Sequence, residues 1–188
     1  KRSTLLFCPT QTAVNNLRKE GITQGVYHVG DVMYDATLYF AEQAQKTSNI
    51  LQQLQIVSKQ YYLATIHRAQ TTDNTEKLAN ILCAFQQIYH PIILPLHPRT
   101  KKVIDNSIIL TKLIQESPKL RIIDSVSYLD MLLLEKHAAL ILTDSGGVQK
   151  ESYFHHTPCI TMREETEWVE TVEAGWNTIV GTDTARIL

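Results

Sequence analysis

The chain has no excess of charge of one sign and no long apolar run, and these two absences remove whole classes of function. Eighteen Lys and Arg are set against nineteen Asp and Glu, a formal charge of −1. That leaves no electrostatic footprint for nucleic acid or an anionic membrane. No apolar stretch approaches the ~20 residues needed to span a bilayer, and nothing resembles a signal peptide. Cysteine is scarce: Cys8, Cys83 and Cys159 are odd in number, widely spaced and set among apolar neighbours. They read as reduced, buried thiols of a cytoplasmic protein rather than a disulfide frame. With neither a CxxC pair nor a His/Cys cluster, no metal and no cofactor is implied. Repeats, low-complexity tracts and long flexible linkers are also missing; the polar stretch 43–55 is the nearest thing to a domain junction. An initiating methionine is lacking too: the chain starts at Lys1 and is apolar by Leu5, as if cut from something longer.

What is present points to an α/β fold. At 188 residues and 44% hydrophobic, the chain can bury a substantial core as one good-sized domain or two small ones. Short β-rich runs alternate with helical patterns, the signature of a parallel sheet. Strands are predicted at Leu5–Cys8, Val26–Val29, Tyr61–Ile66, Ile92–Leu96, Leu120–Asp124, Leu140–Thr143, Cys159–Met162 and Thr178–Val180. Helices are predicted around Thr12–Glu20, Met33–Lys46, Thr75–Tyr89, Lys101–Asn106, Tyr128–His137, Val148–His155 and Thr166–Ala174. Gly21 and Gly175 read as helix stops, and Pro91 as the start of a strand.

The segment Ala139–Glu151 is the most informative. Its apolar run ends at Thr143-Asp144, meets Ser145-Gly146-Gly147 and continues as helix, which reads as a buried strand, a tight turn and a helix whose first amides face outward. Paired glycines remove the Cβ atoms that would hold a ligand off the backbone, and free N–H groups at a positive helix end suit phosphate. Ser145 adds a hydroxyl donor. Glu151, one turn on, is a bidentate acceptor suited to the two hydroxyls of a ribose, so the pair of features fits a nucleotide. The alternative is a purely structural strand-to-helix turn with Asp144 or Ser145 as N-cap.

Ligands of open α/β sheets collect at the carboxyl ends of strands, and four predicted strands end in polar clusters. These are His67-Arg68, His97-Pro98-Arg99, Asp144-Ser145-Gly146-Gly147 and Arg163-Glu164-Glu165-Thr166-Glu167. A His-Arg pair facing a phosphate loop fits a diphosphate. For His97 a structural turn made with Pro98 competes with a ligand role. Arg99, Lys101 and Lys102 fit a solvated helix face, and the acids from Glu164 to Glu167 fit the dipole of a helix start. Trp168 and Trp176 read as packing residues, and His155 and His156 as caps at a helix end.

Together, Thr65-Ile-His67-Arg68, Pro95-Leu-His97-Pro98, Leu142-Thr-Asp-Ser-Gly-Gly-Val-Gln-Lys-Glu151, Arg163-Glu-Glu-Thr-Glu167 and the run Val172–Asp183, in this order, resemble the non-hydrolysing UDP-N-acetylglucosamine 2-epimerases. The resemblance covers essentially the whole chain. It implies a two-domain fold of the glycosyltransferase-B type with a UDP-sugar held between two Rossmann-like domains. Residues 1–35 then resemble the tail of the first domain, and residues 36–188 the C-terminal UDP-binding domain, a parallel sheet with helices on both faces.

The same resemblance implies roles. Ser145 and Gly146, joined by Gly147, would bind the diphosphate, and Glu151 the ribose. His67 matches the family's histidine near the phosphates. Met131 stands where the family sets a side chain, often aromatic, against the uracil. Arg163, Thr166 and Glu167 match a loop at the cleft, and Arg68 and His97 lie near an activating UDP-sugar site of some members. Gln70 departs from the pattern, since the family commonly has Glu there, and the run Arg163–Glu170 also resembles members acting on UDP-2,3-diacetamido-2,3-dideoxyglucuronate. The carboxylates that move protons at C2 belong to the family's first domain, so the chain is expected to supply the UDP-binding half and to be inactive alone. A UDP-sugar glycosyltransferase and a non-catalytic nucleotide-binding module are the alternatives. The family is usually dimeric. A homo-oligomer is expected, with self-association through the strands at Leu5–Cys8 and Val26–Val29, which would lack sheet neighbours.

Overall fold

The computed structural model describes residues 3–188, which divide into two units meeting at Tyr39 and Phe40. In the first unit, strand β1 (Leu6–Cys8), helix α1 (Gln11–Lys19) and strand β2 (Val26–His28) form a β-α-β element with the strands parallel. Thr10 caps α1 by accepting from the Ala13 amide at 3.2 Å. Gly21, at φ +75°, ends it in the left-handed conformation that only glycine takes without strain. Helix α2 (Val32–Thr47) runs across the division.

The second unit continues with α3 (Ile50–Gln53), β3 (Tyr62–Thr65), α4 (Ala69–Thr72), α5 (Thr75–Gln87), β4 (Ile92–Leu96), α6 (Pro98–Asp105), α7 (Ile108–Gln115), β5 (Leu120–Asp124) and α8 (Tyr128–His137). Then follow β6 (Leu140–Thr143), α9 (Gly146–Phe154), β7 (Cys159–Thr161), α10 (Val169–Glu173), β8 (Asn177–Ile179) and α11 (Thr184–Ile187). Its six strands form one sheet in the order β5-β4-β3-β6-β7-β8, every pair parallel. Renumbered from β3 this is 3-2-1-4-5-6, the doubly wound Rossmann order.

Alternation along the strands decides which face each side chain serves. Ala64, Ile66, Ile92, Leu94, Leu96 and Leu142 pack on one face with Leu78, Ile81, Leu82 and Phe85 of α5, Ile104 of α6 and Leu110 of α7. Tyr61, Leu63, Ile93, Ile141 and Cys159 pack on the other with Leu133 and Leu134 of α8 and Val148 of α9. Both faces are therefore covered, which is why the central strands read as continuous apolar runs.

Several expectations are corrected. The stretch 43–55, read as the nearest thing to a domain junction, is largely helical: α2 runs on to Thr47 and α3 follows. The last predicted helix is shorter, beginning at Val169, with Thr166 bound instead to Gln149 of α9 and to the Trp168 amide. Helix α7 is not predicted, because Ile108 and Ile109 face solvent at 89% and 65% exposure and break the apolar period. Helices α3, α4 and α11 are one-turn elements too short to show a period at all. Cys8 and Cys159 are buried, whereas Cys83 is half-buried. Among the described residues no helix is long and apolar enough to cross a membrane.

Candidate functional site

The order of strands reverses between β3 and β6, and in doubly wound sheets ligands bind outside the carboxyl ends of the strands at that reversal. These two strands pair in register to their last residues, Thr65 against Thr143, whose hydroxyls hydrogen-bond at 2.5 Å. The loops beyond them are joined by Asp144, fully buried. Its carboxylate accepts from the His67 amide at 3.0 and 3.1 Å and from the Arg68 amide at 2.9 Å. The loop after β3 is thereby pinned to the loop after β6.

Ser145 is the N-cap of α9, its Oγ accepting from the Val148 amide and its own amide donating to Thr143 Oγ1 at 2.9 Å. The strand and the helix are thus joined through an extended serine, and Gly146 and Gly147 are already helical. Neither takes a positive φ, so the turn does not require glycine. Space does at Gly146: a Cβ there would lie 3.1 Å from Arg68 Nη2 and 3.1 Å from Trp168 Nε1, with Glu167 Oε2 at 3.5 Å. Gly146 is the point on which the three clusters converge.

Around it the charged side chains hold one another. Arg163, nearly buried, makes a two-pronged contact with Glu167 at 2.9 and 3.0 Å, and Arg68 approaches the same carboxylate at 3.9 Å. The Arg163 hydrogen bonds hold Glu167 below the usual carboxylate range, and Glu167 in turn raises Arg163. Thr166 donates to Gln149 Oε1 at 2.5 Å and accepts from the Trp168 amide, which fastens this loop to α9. Lys150 sits 4.2 Å from the centre of the Trp168 ring, a cation–π contact.

On the β4 side of the reversal lies a cavity of about 200 Å³ lined by Thr65, Ile66, His67, Pro95, His97, Ser125, Val126, Met131 and Val148. The His67 and His97 rings lie 5.6 Å apart. Burial lowers the His67 pKa against the pull of Asp144, which keeps the ring neutral near pH 7 and available as donor or acceptor. His97 combines the two roles that were open for it. Its Nδ1 caps α6 by accepting from the Arg99 amide at 3.1 Å, and its ring still lines the cavity. Arg99 lies exposed on its helix face as expected, and there binds both oxygens of Asp73 and Thr72 Oγ1. His155 does not cap through its ring: Nε2 is buried without a partner, and burial pushes it down to about 4.

Glu151 lies one turn beyond Val148 on α9, buried, with the Tyr128 hydroxyl donating to Oε1 at 3.0 Å. The structure thus brings His67, His97, Met131, Ser145, Gly146 and Arg68 to one sheet edge. Arg163 instead lines a second cavity of about 240 Å³ with Gln70, Thr71, Lys77, Met162, Glu164, Glu165 and Thr182. Three participants escape a reading of the sequence: the Asp144 clamp, the Tyr128 donor and Glu135 beside Glu151. Tyr128 follows Ser127 at a helix start and could be found from that position. The other two depend on contacts remote in the chain.

Fold and site together define a doubly wound, Rossmann-type α/β domain whose polar clusters gather at the switch point. The family model of UDP-N-acetylglucosamine 2-epimerase matches residues 1–188, and the chain belongs to that family. It is 49% identical over 187 residues to a UDP-N-acetylglucosamine 2-epimerase homolog of Methanococcus maripaludis, covering 99% of this chain and 52% of the relative. It is 43% identical to the UDP-2,3-diacetamido-2,3-dideoxy-D-glucuronate 2-epimerase of Pseudomonas aeruginosa, covering 95% and 49%. Among solved structures, the UDP-GlcNAc 2-epimerase of Methanocaldococcus jannaschii in complex with UDP-GlcNAc and UDP superposes with a TM-score of 0.90 at 43% identity, covering 98% of this chain and 52% of that one. The chain therefore spans about half the length of the relatives it matches.

Proposed function

We propose that the chain is the UDP-binding half of a non-hydrolysing UDP-sugar 2-epimerase, acting on UDP-N-acetylglucosamine. The observation that carries this is the switch point itself, where the amino end of α9, capped by Ser145, stands beside the cavity walled by His67, His97 and Met131. In this reading the Ser145 hydroxyl and the Gly146 and Gly147 amides hold the diphosphate. His67 donates to the same group, the Met131 thioether packs on the uracil, and Glu151 accepts from the ribose hydroxyls. Arg68 and His97 stand at the mouth of the site, and the Arg163–Glu167 pair with Thr166 shapes its far wall.

Epimerisation by elimination of UDP to a glycal and re-addition of UDP divides the work in two. Charge developing on the departing UDP needs donors already in place, which is the task this half can perform. Removing a proton from C2 needs positioned carboxylates, which this reading assigns to the other half, so the isolated chain binds UDP without inverting C2. A second reading, with UDP-2,3-diacetamido-2,3-dideoxyglucuronate as the sugar nucleotide, is favoured by the 43% identity to the Pseudomonas aeruginosa enzyme. The unpaired thiols fit a reducing compartment, the cytoplasm.

Calorimetric titration with UDP tests the proposal. Saturable binding is expected, weakened roughly 10- to 100-fold by Ser145→Ala and by Glu151→Ala, the range for losing a hydrogen bond to a charged group. A folded chain that does not bind UDP would overturn it.

A further inference from the structure

The UDP-binding roles leave one buried acid unassigned. Glu135 on α8 is completely buried, and neither of its carboxyl oxygens finds a hydrogen-bond donor. Its position is fixed: Thr157 Oγ1 donates to the Glu135 carbonyl at 3.0 Å, and the Tyr61 hydroxyl donates to the neighbouring Leu134 carbonyl at 2.7 Å. Across the α8–α9 contact lies a second buried acid, Glu151, and burial first, then the charge of Glu151 and a hydrogen bond with it, hold the Glu135 carboxyl well above the usual carboxylate range.

Two carboxylates this close inside a protein cannot both ionise, and a lone buried carboxylate without donors is costly. The surroundings decide where the remaining charge sits. Near Glu135 are Tyr61, just before β3, and Cys159 of β7, two neutral groups whose own ionisation a charge on Glu135 would oppose. Burial raises Glu151 too, but against it stand the Tyr128 hydroxyl, the cationic Lys150 and a hydrogen bond from Glu135, all of which favour a carboxylate there. The negative charge therefore belongs on Glu151 and the proton on Glu135.

We propose that Glu135 and Glu151 hold a single proton between them, carried by Glu135, whose O–H donates to Glu151 and turns the remaining lone pairs of that carboxylate toward a vicinal diol. Glu135 is a positioning residue acting through Glu151, and its purpose rests on reading Glu151 as the ribose acid. Two acceptors with no proton between them make no hydrogen bond. With one proton they make a short, oriented one, which explains why Glu135 is otherwise left without a partner. The pair carries one charge at neutral pH, and its capacity to accept from a diol is lost when acid protonates Glu151 as well.

The test compares Glu135→Gln, which keeps a donor, with Glu135→Leu, which keeps the bulk and removes it. Carboxyl carbon NMR follows the titration of Glu151 in the ligand-free chain, and calorimetry follows affinity for UDP and for 2′-deoxy-UDP. In Glu135→Gln the Glu151 midpoint and UDP affinity should stay close to those of the parent. In Glu135→Leu the midpoint should rise by about one pH unit and UDP affinity fall roughly tenfold, one hydrogen bond's worth of orientation, with the preference for UDP over its 2′-deoxy form reduced. A Glu151 midpoint that drops by a unit or more in Glu135→Gln would mean that a charge had been removed, and would overturn the shared proton. A Leu variant that titrates as the parent does would overturn the donation. If Glu151→Gln binds UDP undiminished, the ribose reading fails and with it the aiming at a diol, whereas the proton itself is judged by the titration alone.

Discussion

Asp144→Ala isolates the smallest working part of the site. Three contacts from two amides would vanish, and half-buried N–H groups without an acceptor cost about 1–3 kcal/mol each. Urea denaturation should show a loss of about 2–4 kcal/mol, and UDP affinity should fall more than tenfold because the His67 loop is no longer pinned. The Arg163–Glu167 pair makes a prediction about pH. The Glu167 pKa is lowered in the folded chain, so its contribution to stability is fully present above the ordinary glutamate range and is lost as pH falls through the folded value. Glu167→Gln should therefore lower stability above the glutamate range and change little in acid, flattening the acid limb, as chemical denaturation across that range would show. Residues of this kind differ in how far the sequence discloses them. Ser145, Gly146 and Glu151 sit in one short segment whose local order announces a strand, a helix end and an acid one turn on. Asp144 is in the same segment, but its partners lie 76 and 77 residues away, and no local pattern contains them. Glu135 precedes Lys136 near a helix end, where a charged residue ordinarily faces water; that α9 covers it is a fact of packing alone.

At the scale of elements, legibility follows burial. The central strands of the six-stranded sheet are readable because both faces are covered and their residues are mostly apolar, whereas α7 is hidden by its two exposed isoleucines. The same contrast can be measured. Leu110 is fully buried on α7 and Ile108 is 89% exposed. Leu110→Ala should cost about 2–5 kcal/mol, as deletions in a packed core do, while Ile108→Ser should stay within about 0.5 kcal/mol, as surface changes do. Thermal melts of the two variants would separate them, and similar losses from both would mean that α7 packs by its other face.

At the scale of the molecule, the first unit carries an unusual surface. Strands β1 and β2 pair with each other, and no further strand joins them among the described residues. Phe7, Tyr27 and Val29 are exposed by 64%, 52% and 60%, the Phe7 and Tyr27 rings standing 6.1 Å apart. Open strand edges flanked by apolar side chains recruit other strands. Sedimentation should show association of the isolated chain that rises with concentration, and Phe7→Lys should shift it toward monomer; a monomer at all concentrations would refute this. The parallel α/β class was legible from the alternation of strands and helices, but not the sheet order that creates the switch point, because order is set by which distant strands meet.

That order also governs when the site comes into being during folding. The β3–β6 pairing joins residues 78 apart, a loop whose closure entropy must be met before its contacts return anything. The local elements can form early, and the clamp, the helix end and the cavity are assembled together when this long-range pairing closes. Partly folded states that already hold their helices would be blind to nucleotide, so binding competence would mark the completion of the fold.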